Sequence, residues 1–510
     1  IWGEVGISPR CWRARACWHH RRAALALAAG EIEADHCGMA RFGRAATIAF
    51  AALFGLRGVL GGAVAAQGAE QVAALRRWLV DRGARISAAV DASRSGDRGT
   101  ELVATRDVVA GEELVWIPMS SIVTAEVAAR DSALAMAAAR VWREPASVED
   151  AALEEGLEEL RALADQDQVV LAVFVLEQWA LGERSPYHSW LAVMPQDYPT
   201  VPTLWTGDGL RCLGASFEQE TVAEKQKRWR REFATVAHFV PDLGARFSYD
   251  DFARARAAVE TRTHGVAMGA EVTAFVPFAD LLNHNHSFTA LWTTSKSSQE
   301  PGFVITAPQG AKAGAQLLAS YGAKDHSEFF RVYGFADEHA PREVVFHVDL
   351  ERRDPLRGLR QAALLEINAY RTFTIRSGEE VMPFRDFELL MAFLRAAAVD
   401  EPAVLEEATG LLRPMGEARE EAALRRLRAS ADALAEHELR ETAPALEAGA
   451  SLALRTCRAF REQRAEVFRG IAAFAARAVG AEAPPGSAHA EGVSEALGRH
   501  LLRHRGRAEL

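Results

Sequence analysis

The segment Phe275-Val-Pro-Phe-Ala-Asp-Leu-Leu-Asn-His-Asn-His-Ser-Phe288 decides how this chain is read. An apolar, strand-like run from Val272 to Val276 leads into it, and Asp280, Asn283 and His284 then crowd one short turn. Taken alone, the turn has two readings. In one, Asn and Asp satisfy local backbone groups in a capped helical turn and His284 is a packed core histidine. In the other, Asp280, His284 and His286, with His264, make a nitrogen-and-oxygen metal site, although no histidine spacing of known metal mechanics supports it.

Working outward, the upstream stretch Gly96-Asp-Arg-Gly-Thr-Glu-Leu-Val-Ala-Thr-Arg-Asp-Val-Val-Ala-Gly-Glu-Glu-Leu-Val-Trp-Ile-Pro118 reads as two strands, Leu102–Ala104 and Glu113–Ile117, joined at Ala110-Gly111 and closed by Pro118. The glycines beside Arg98 are an ordinary turn, or Gly99 is a place where backbone amides approach a ligand closely. Downstream, Ser320-Tyr-Gly-Ala-Lys-Asp-His-Ser-Glu-Phe-Phe-Arg-Val-Tyr-Gly-Phe335 sets Tyr321 and Tyr333 about a helical segment, as packing residues or as site residues. A helix opens at Glu70 with Val72, Leu75, Trp78 and Leu79 on one stripe and Gly83 as its stop. From Ala125 to Gly182 the pattern is helical, with the apolar run Val169–Leu181 long enough for a buried helix; further helices are expected over Phe217–Phe239 and Asp250–Thr261. Strands are expected again at Gly302–Ala307, Gln316–Ser320 and Val344–Leu350. Beyond Asp354 nearly everything is helical: Phe384–Arg395, Glu417–Glu441 and Pro444–Val479, the last opening on a proline. The class is therefore α+β: β, then an α-rich insertion, β again, and a separate helical domain.

Composition excludes several classes. With 49% hydrophobic and 25% charged residues, the chain is an ordinary globular protein rather than a disordered or multi-span membrane one. The net charge is -10, yet residues 1–66 carry eight Arg against Glu4, Glu31, Glu33 and Asp35, so the rest sums to -14. An acidic body argues against nucleic acid as a partner. Five scattered Cys without a C-x-x-C pair support neither a disulfide framework nor a structural zinc site. From Met39, the charged Arg41 and Arg44, the apolar run Ala45–Leu56 and the small residues Ala63-Val64-Ala65 suggest a removable plastid or secretory-route targeting peptide; the alternatives are a single anchor helix over Ala45–Ala66, disfavoured by Arg57 and the glycines inside it, and a cytoplasmic protein. No integral membrane role is expected once the targeting peptide is removed. The basic run Lys225, Lys227, Arg228, Arg230 and Arg231 is expected to be a solvated helix face.

The order of the three stretches carries more than any one of them. Ala104-Thr-Arg-Asp107 with Gly111-Glu112, Arg262 ending a helix, Asp280 with Asn283-His284, and Tyr321-Gly322 with Tyr333-Gly334-Phe335 together resemble SET-domain methyltransferases of the Rubisco large-subunit lysine methyltransferase type, a group that includes the actin-histidine methyltransferase. The insertion segment Ser185-Pro-Tyr-His-Ser-Trp190, Leu191 and Met194-Pro195 is similar too. The resemblance implies a β-rich SET domain over 70–350 with its insertion at about 125–262 and an all-α substrate-binding domain over 351–480; the residues themselves read as a targeting or disordered segment over 1–69 and a flexible tail over 481–510. The resemblance also implies S-adenosyl-L-methionine as cofactor and no metal. Arg262 would pair with the cofactor carboxylate; Asn283 and His284 would hold the adenine, largely through backbone groups, with Asp280 supporting the turn. Arg98, Gly99 and Thr100 would form the first contacting turn, Tyr333 and Phe335 would close the pocket, and Tyr321 would be catalytic. The implied activity is protein N-methylation, of lysine on a non-histone protein docked on the helical domain of a monomer, with histidine methylation or an inactive binding protein as alternatives. Glu101 stands where the family has a second glycine, so the turn is rebuilt by one inserted residue or the cofactor's approach is compromised; His326 stands where it commonly has Asn, which removes an amide that would help position the tyrosine loop.

Overall fold

The computed structural model describes residues 68–95, 99–141, 166–214, 216–295, 301–340, 342–369, 372–377, 384–440 and 449–479. The targeting-peptide and anchor-helix expectations, Arg98, Pro444 and the tail beyond 480 lie outside them. Among the described residues, no helix is long and apolar enough to cross a membrane.

Strand β1 (Arg85–Ile86) is followed by the hairpin of β2 (Val90–Ser95) and β3 (Gly99–Ala104). Strand β4 (Glu112–Pro118) buries Leu114, Val115, Trp116 and Ile117 in succession, the pattern of a strand covered on both faces. After the short β5 (Val123–Thr124), β6 (Thr263–Met268) and β7 (Ala270–Phe275) form a hairpin that joins β5, in the order β5-β7-β6. Strands β8 (Asn283–His284), β9 (Leu291–Ser295), β10 (Gly302–Ala307) and β11 (Leu318–Ala319) complete the β portion, whose largest sheet has the order β1-β4-β10-β9. The runs expected as strands at 102–104, 113–117, 272–276, 302–307 and 316–320 each overlap an observed one, whereas β1, β2, β5, β6, β8 and β9 were not expected.

Two pairings set up the site. β11 lies parallel to β8, with Leu318 opposite Asn283 and Ala319 opposite His284, so the Asn-His dipeptide is held beside the strand leading to Tyr321. The 311–317 segment is tied to β3 through Ala104 N–H to Ala315 O at 2.9 Å and Leu317 N–H to Leu102 O at 2.8 Å. Three segments distant in sequence thus share one patch of sheet.

The insertion helices pack on the same core. Gln166–Leu181 buries every residue from Val169 to Leu176, as a helix apolar all round must, and packs against Tyr249–Arg262. That helix begins at a capping box, the Ser248 side chain accepting from Asp251 N–H and the Asp251 carboxylate accepting from Ser248 N–H, and its fourteenth residue is Arg262. The basic run on Phe217–Phe239 is largely neutralised: Lys225 pairs with Glu260, Lys227 with Glu224 and Arg228 with Glu232, while Arg230 lies over Tyr249.

A second core starts at Val344. The run expected at 344–350 becomes β12 (Arg342–His347), and it pairs antiparallel with β13 (Thr372–Ser377), a strand inside the region read as helical. Thr-Phe-Thr-Ile there alternates, with Phe373 and Ile375 buried, a period the surrounding helices obscure. Helices Arg357–Glu366, Phe384–Ala398, Glu417–Arg440 and Leu452–Ala478 make up most of the region. The helix Leu452–Ala478 is capped by Ser451, which follows Gly449 at φ 90° and whose hydroxyl accepts from Leu454 N–H.

This helical region is locked to the insertion. Cys212 and Cys457, 245 positions apart, form a disulfide amid Trp205, Leu213, Val222, Phe330 and Phe460, a bridge that cysteine spacing did not reveal. Beside it runs a buried ionic chain: Glu218 pairs with Arg331 at 2.8 Å and Arg464 at 3.4 Å, and Glu438 pairs with Arg464 at 2.9 Å and Arg461 at 3.1 Å. Fully buried His326 stacks on Phe460, 5.1 Å between centroids. A histidine suits this position because its ring faces the helical region rather than the tyrosine loop.

Candidate functional site

A cavity of about 500 Å³ opens where these elements meet. Its lining includes Gly99 and Thr100 of β3, Arg262 at its helix end, Asp280, Asn283 of β8, Tyr321, Tyr333 and Phe335. Met194 and Pro195 of the family-like insertion segment also line it, while sequence reasoning missed Tyr198 in the same 192–200 loop, Gln71 near the start of the described residues, and Leu452 of the last helix. The Pro195 and Pro199 that bracket Tyr198 were the available signal of a rigid loop. A larger cleft of about 880 Å³ shares Asp197 and Pro199 with this cavity and runs along Trp205, Asp208, Ser451 and Leu454, but none of the candidate residues lines it.

His284 does not line the cavity. Its ring stands behind the wall, stacked on Phe329 at 4.4 Å, and its Nδ1 accepts the Tyr321 backbone N–H at 3.0 Å. Its Nε2 lies 3.1 Å from Asp337 Oδ2, which is also 3.1 Å from His286 Nε2. His284, His286 and Asp337 could in outline hold a metal, whereas Asp280 and His264 belong to no such group among the described residues. The tautomer argues otherwise: with Nδ1 accepting the Tyr321 N–H, the neutral ring carries its proton on Nε2, and a protonated nitrogen offers a metal no lone pair. Burial holds the His284 pKa below the usual value even though Asp337 pulls it up, which keeps the ring neutral. Its role is to fix the backbone of Tyr321.

The Tyr321 hydroxyl donates to Leu282 O at 2.7 Å, and burial pushes its pKa up to about 12. It is a fixed neutral dipole at physiological pH, not a base. Tyr333 stands 4.9 Å from it, ring to ring, and burial raises its pKa as well. Arg262 donates from Nη1 to Asp280 O at 2.8 Å. Burial works against its charge, but Tyr198, Asp280 and Tyr321 together hold its pKa above the ordinary value. Asp280 accepts Trp190 Nε1–H at 3.0 Å, and burial raises its carboxyl pKa against the pull of Arg262. Phe278, just before this turn, adopts φ 79°, a left-handed conformation costly for a bulky residue, and the surrounding core holds it there.

Glu101 is not part of the cavity wall. It sits within β3 opposite Ser93, so the turn keeps Gly99, at φ 77°, and Thr100 on the cavity. Four buried polar atoms of cavity residues lack a hydrogen-bond partner: Arg262 Nε, Asp280 Oδ1, Asn283 Nδ2 and the Tyr198 hydroxyl. Orphans of both donor and acceptor type on one cavity suit a ligand that is itself zwitterionic and polar.

No family model matches the chain. Among solved structures it is similar to Rubisco LSMT bound to AdoMet, with a TM-score of 0.54 at 18% identity over 80% of this chain and 92% of that one. The SET domain of LSMT bound to lysine and AdoHcy gives a TM-score of 0.53 at 18% identity, over 80% and 91%. The chain has the SET-domain fold of the Rubisco LSMT type. Curated relatives of this SET-fold chain include the mouse actin-histidine N-methyltransferase, 25% identical over 351 residues, 66% of this chain and 54% of that protein. The zebrafish actin-histidine N-methyltransferase is 27% identical over 323 residues, 61% and 49% respectively. The chain therefore spans about half the length of these relatives.

Proposed function

We propose that the chain is an S-adenosylmethionine-dependent protein N-methyltransferase, acting on lysine of a non-histone protein. The observation that carries this reading is the convergence of residues 99–100, 262, 280, 283, 321, 333 and 335 on one cavity whose unpaired polar atoms fit the donor. When bound, S-adenosylmethionine supplies an electrophilic methyl group on a sulfonium. Arg262 would face its carboxylate through a charge-assisted bond, the Asn283 side-chain amide and the neighbouring backbone would take the adenine, and Gly99 and Thr100 would border it. Tyr321, its proton committed to Leu282 O, turns its oxygen's free lone pair toward the reacting region and orients the incoming nitrogen. Burial among Tyr321, Tyr333 and Phe335 disfavours an ammonium, whose ordinary pKa is near 10.4, so an amine entering this enclosure is pushed toward its neutral, nucleophilic form. Alignment and exclusion of water are then the main contributions to rate.

The helical region from about residue 340 is proposed to dock the protein substrate, with the chain acting as a monomer. Histidine is the second reading, favoured by the names of the curated relatives. Incubation with methyl-labelled cofactor and a cell lysate, followed by mass spectrometry, distinguishes the two: label on lysine supports the first, label on histidine replaces it. An absence of both transfer and cofactor binding would leave a binding protein.

A further inference from the structure

Tyr198 belongs to none of the motifs above. It sits in the 192–200 loop, is 7% exposed, and lines the cavity. Its hydroxyl is shut off from solvent without a well-formed hydrogen bond, close to the Arg262 guanidinium. Arg262 and the Thr261 hydroxyl both lie near the phenol, but neither completes a well-formed hydrogen bond with it, and the Thr261 proton is committed to Ala257 O. Arg262 is in the same position: Nη1 serves Asp280 O, while the buried Nε–H has no acceptor. Two unsatisfied donors side by side on a cavity wall, one cationic, are costly unless an anion enters between them. Burial pushes the Tyr198 pKa up to about 12 against the pull of Arg262, so the phenol stays a donor throughout the physiological range.

We propose that Tyr198 is a binding residue for the carboxylate of the methyl donor, its hydroxyl and the Arg262 Nε–H gripping the same anion. Asp280 Oδ1, an unpaired acceptor lining the same cavity, complements the ammonium of the same amino-acid group. The pairing separates the ends of the ligand: the amino-acid end answers to Tyr198, Arg262 and Asp280, the nucleoside end to residues that Tyr198 does not touch. The inference rests on the reading of this cavity as the S-adenosylmethionine site.

Two probes test it by calorimetry on the full chain. S-adenosylhomocysteine carries the amino acid, and 5′-methylthioadenosine is the same nucleoside thioether without it. Tyr198→Phe is expected to weaken S-adenosylhomocysteine about tenfold, the scale of one hydrogen bond to a charged group, and to change 5′-methylthioadenosine by less than about twofold. Retained binding of 5′-methylthioadenosine also certifies that the variant is folded. Equal weakening of both probes, or of neither, overturns the assignment while leaving the cofactor reading in place. If the unaltered chain does not prefer S-adenosylhomocysteine to 5′-methylthioadenosine, the cofactor reading falls and this inference falls with it.

Discussion

Replacing Gly334 by alanine sets two walls of the cavity against each other. Gly334 lies between Tyr333 and Phe335 at φ 74°, and a Cβ there would stand 2.5 Å from Thr200 C and 2.6 Å from Thr200 O, backbone atoms that cannot swing aside. Two costs add. The left-handed conformation costs roughly 1 kcal/mol for a residue with a Cβ. Relieving the overlap requires moving either the 192–200 loop or the Tyr333–Phe335 turn, and overpacking of this kind costs about 1–3 kcal/mol. The sum is about 2–4 kcal/mol of stability. Because the segments forced apart both line the cavity, S-adenosylhomocysteine affinity is expected to fall about tenfold or more, each factor of ten being about 1.4 kcal/mol. The assays are urea unfolding and calorimetry. Gly83→Ala serves as control: at φ 90°, with nothing within 4 Å of the added Cβ, it should show the conformational cost alone and bind normally. If Gly334→Ala unfolds and binds like Gly83→Ala, the close approach to Thr200 does not exist and the account of the cavity's two walls is wrong.

Tyr321→Phe removes the bond to Leu282 O and should cut turnover while leaving cofactor affinity within about twofold; parallel losses in both would mean that the role assigned to the phenol is mistaken. Arg464→Leu strips a cation from buried Glu218 and Glu438 and should cost roughly 3 kcal/mol in urea unfolding, a loss under about 1 kcal/mol showing the ionic chain to be dispensable. Reducing Cys212–Cys457, or Cys457→Ser, reopens a loop of 245 residues and should lower stability by up to about 5 kcal/mol on the chain-entropy model; free-thiol titration that finds both cysteines reactive without denaturant would refute the bridge. Burial depresses the His264 pKa to about 4 from 6.5, so the unfolded chain binds the extra proton between these values. Stability from this group is complete above about pH 6.5 and is lost on acidification toward pH 4, by about 3 kcal/mol, a slope His264→Phe should flatten and whose persistence in that variant would assign it elsewhere.

Much of the molecule could be read from residue order because its local signals agree with its tertiary ones. The Phe217–Phe239 helix has its Ser216 cap and acidic first turn in the text, and the strands of the central sheet announce themselves as short apolar runs. The site motifs were legible as a set because the SET-type fold brings them together in a fixed order, although spacing alone could not separate a wall residue from a supporting one. The His284 ring supports Tyr321 from behind, a role that resides in which ring nitrogen accepts a hydrogen bond and that spacing does not show. Tyr198 and Leu452 were invisible because they reach the cavity through a loop and a helix end whose positions are set by long-range packing. β13 was hidden for the opposite reason, a strand of only six residues amid strong helix formers. The cysteine bridge joins positions no local pattern connects.

The disulfide, the Phe330–Phe460 stack at 3.9 Å and the arginine–glutamate chain lie along one seam, while Leu452 from the same helix reaches the cavity. Anyone building chimaeras from this protein therefore cannot treat the last third of the chain as a cassette. A crossover near residue 340 would carry away a piece of the cavity's surround and strand Glu218 without its distal cation, so a viable exchange has to move residues 205–222 and 326–331 together with the helices they grip.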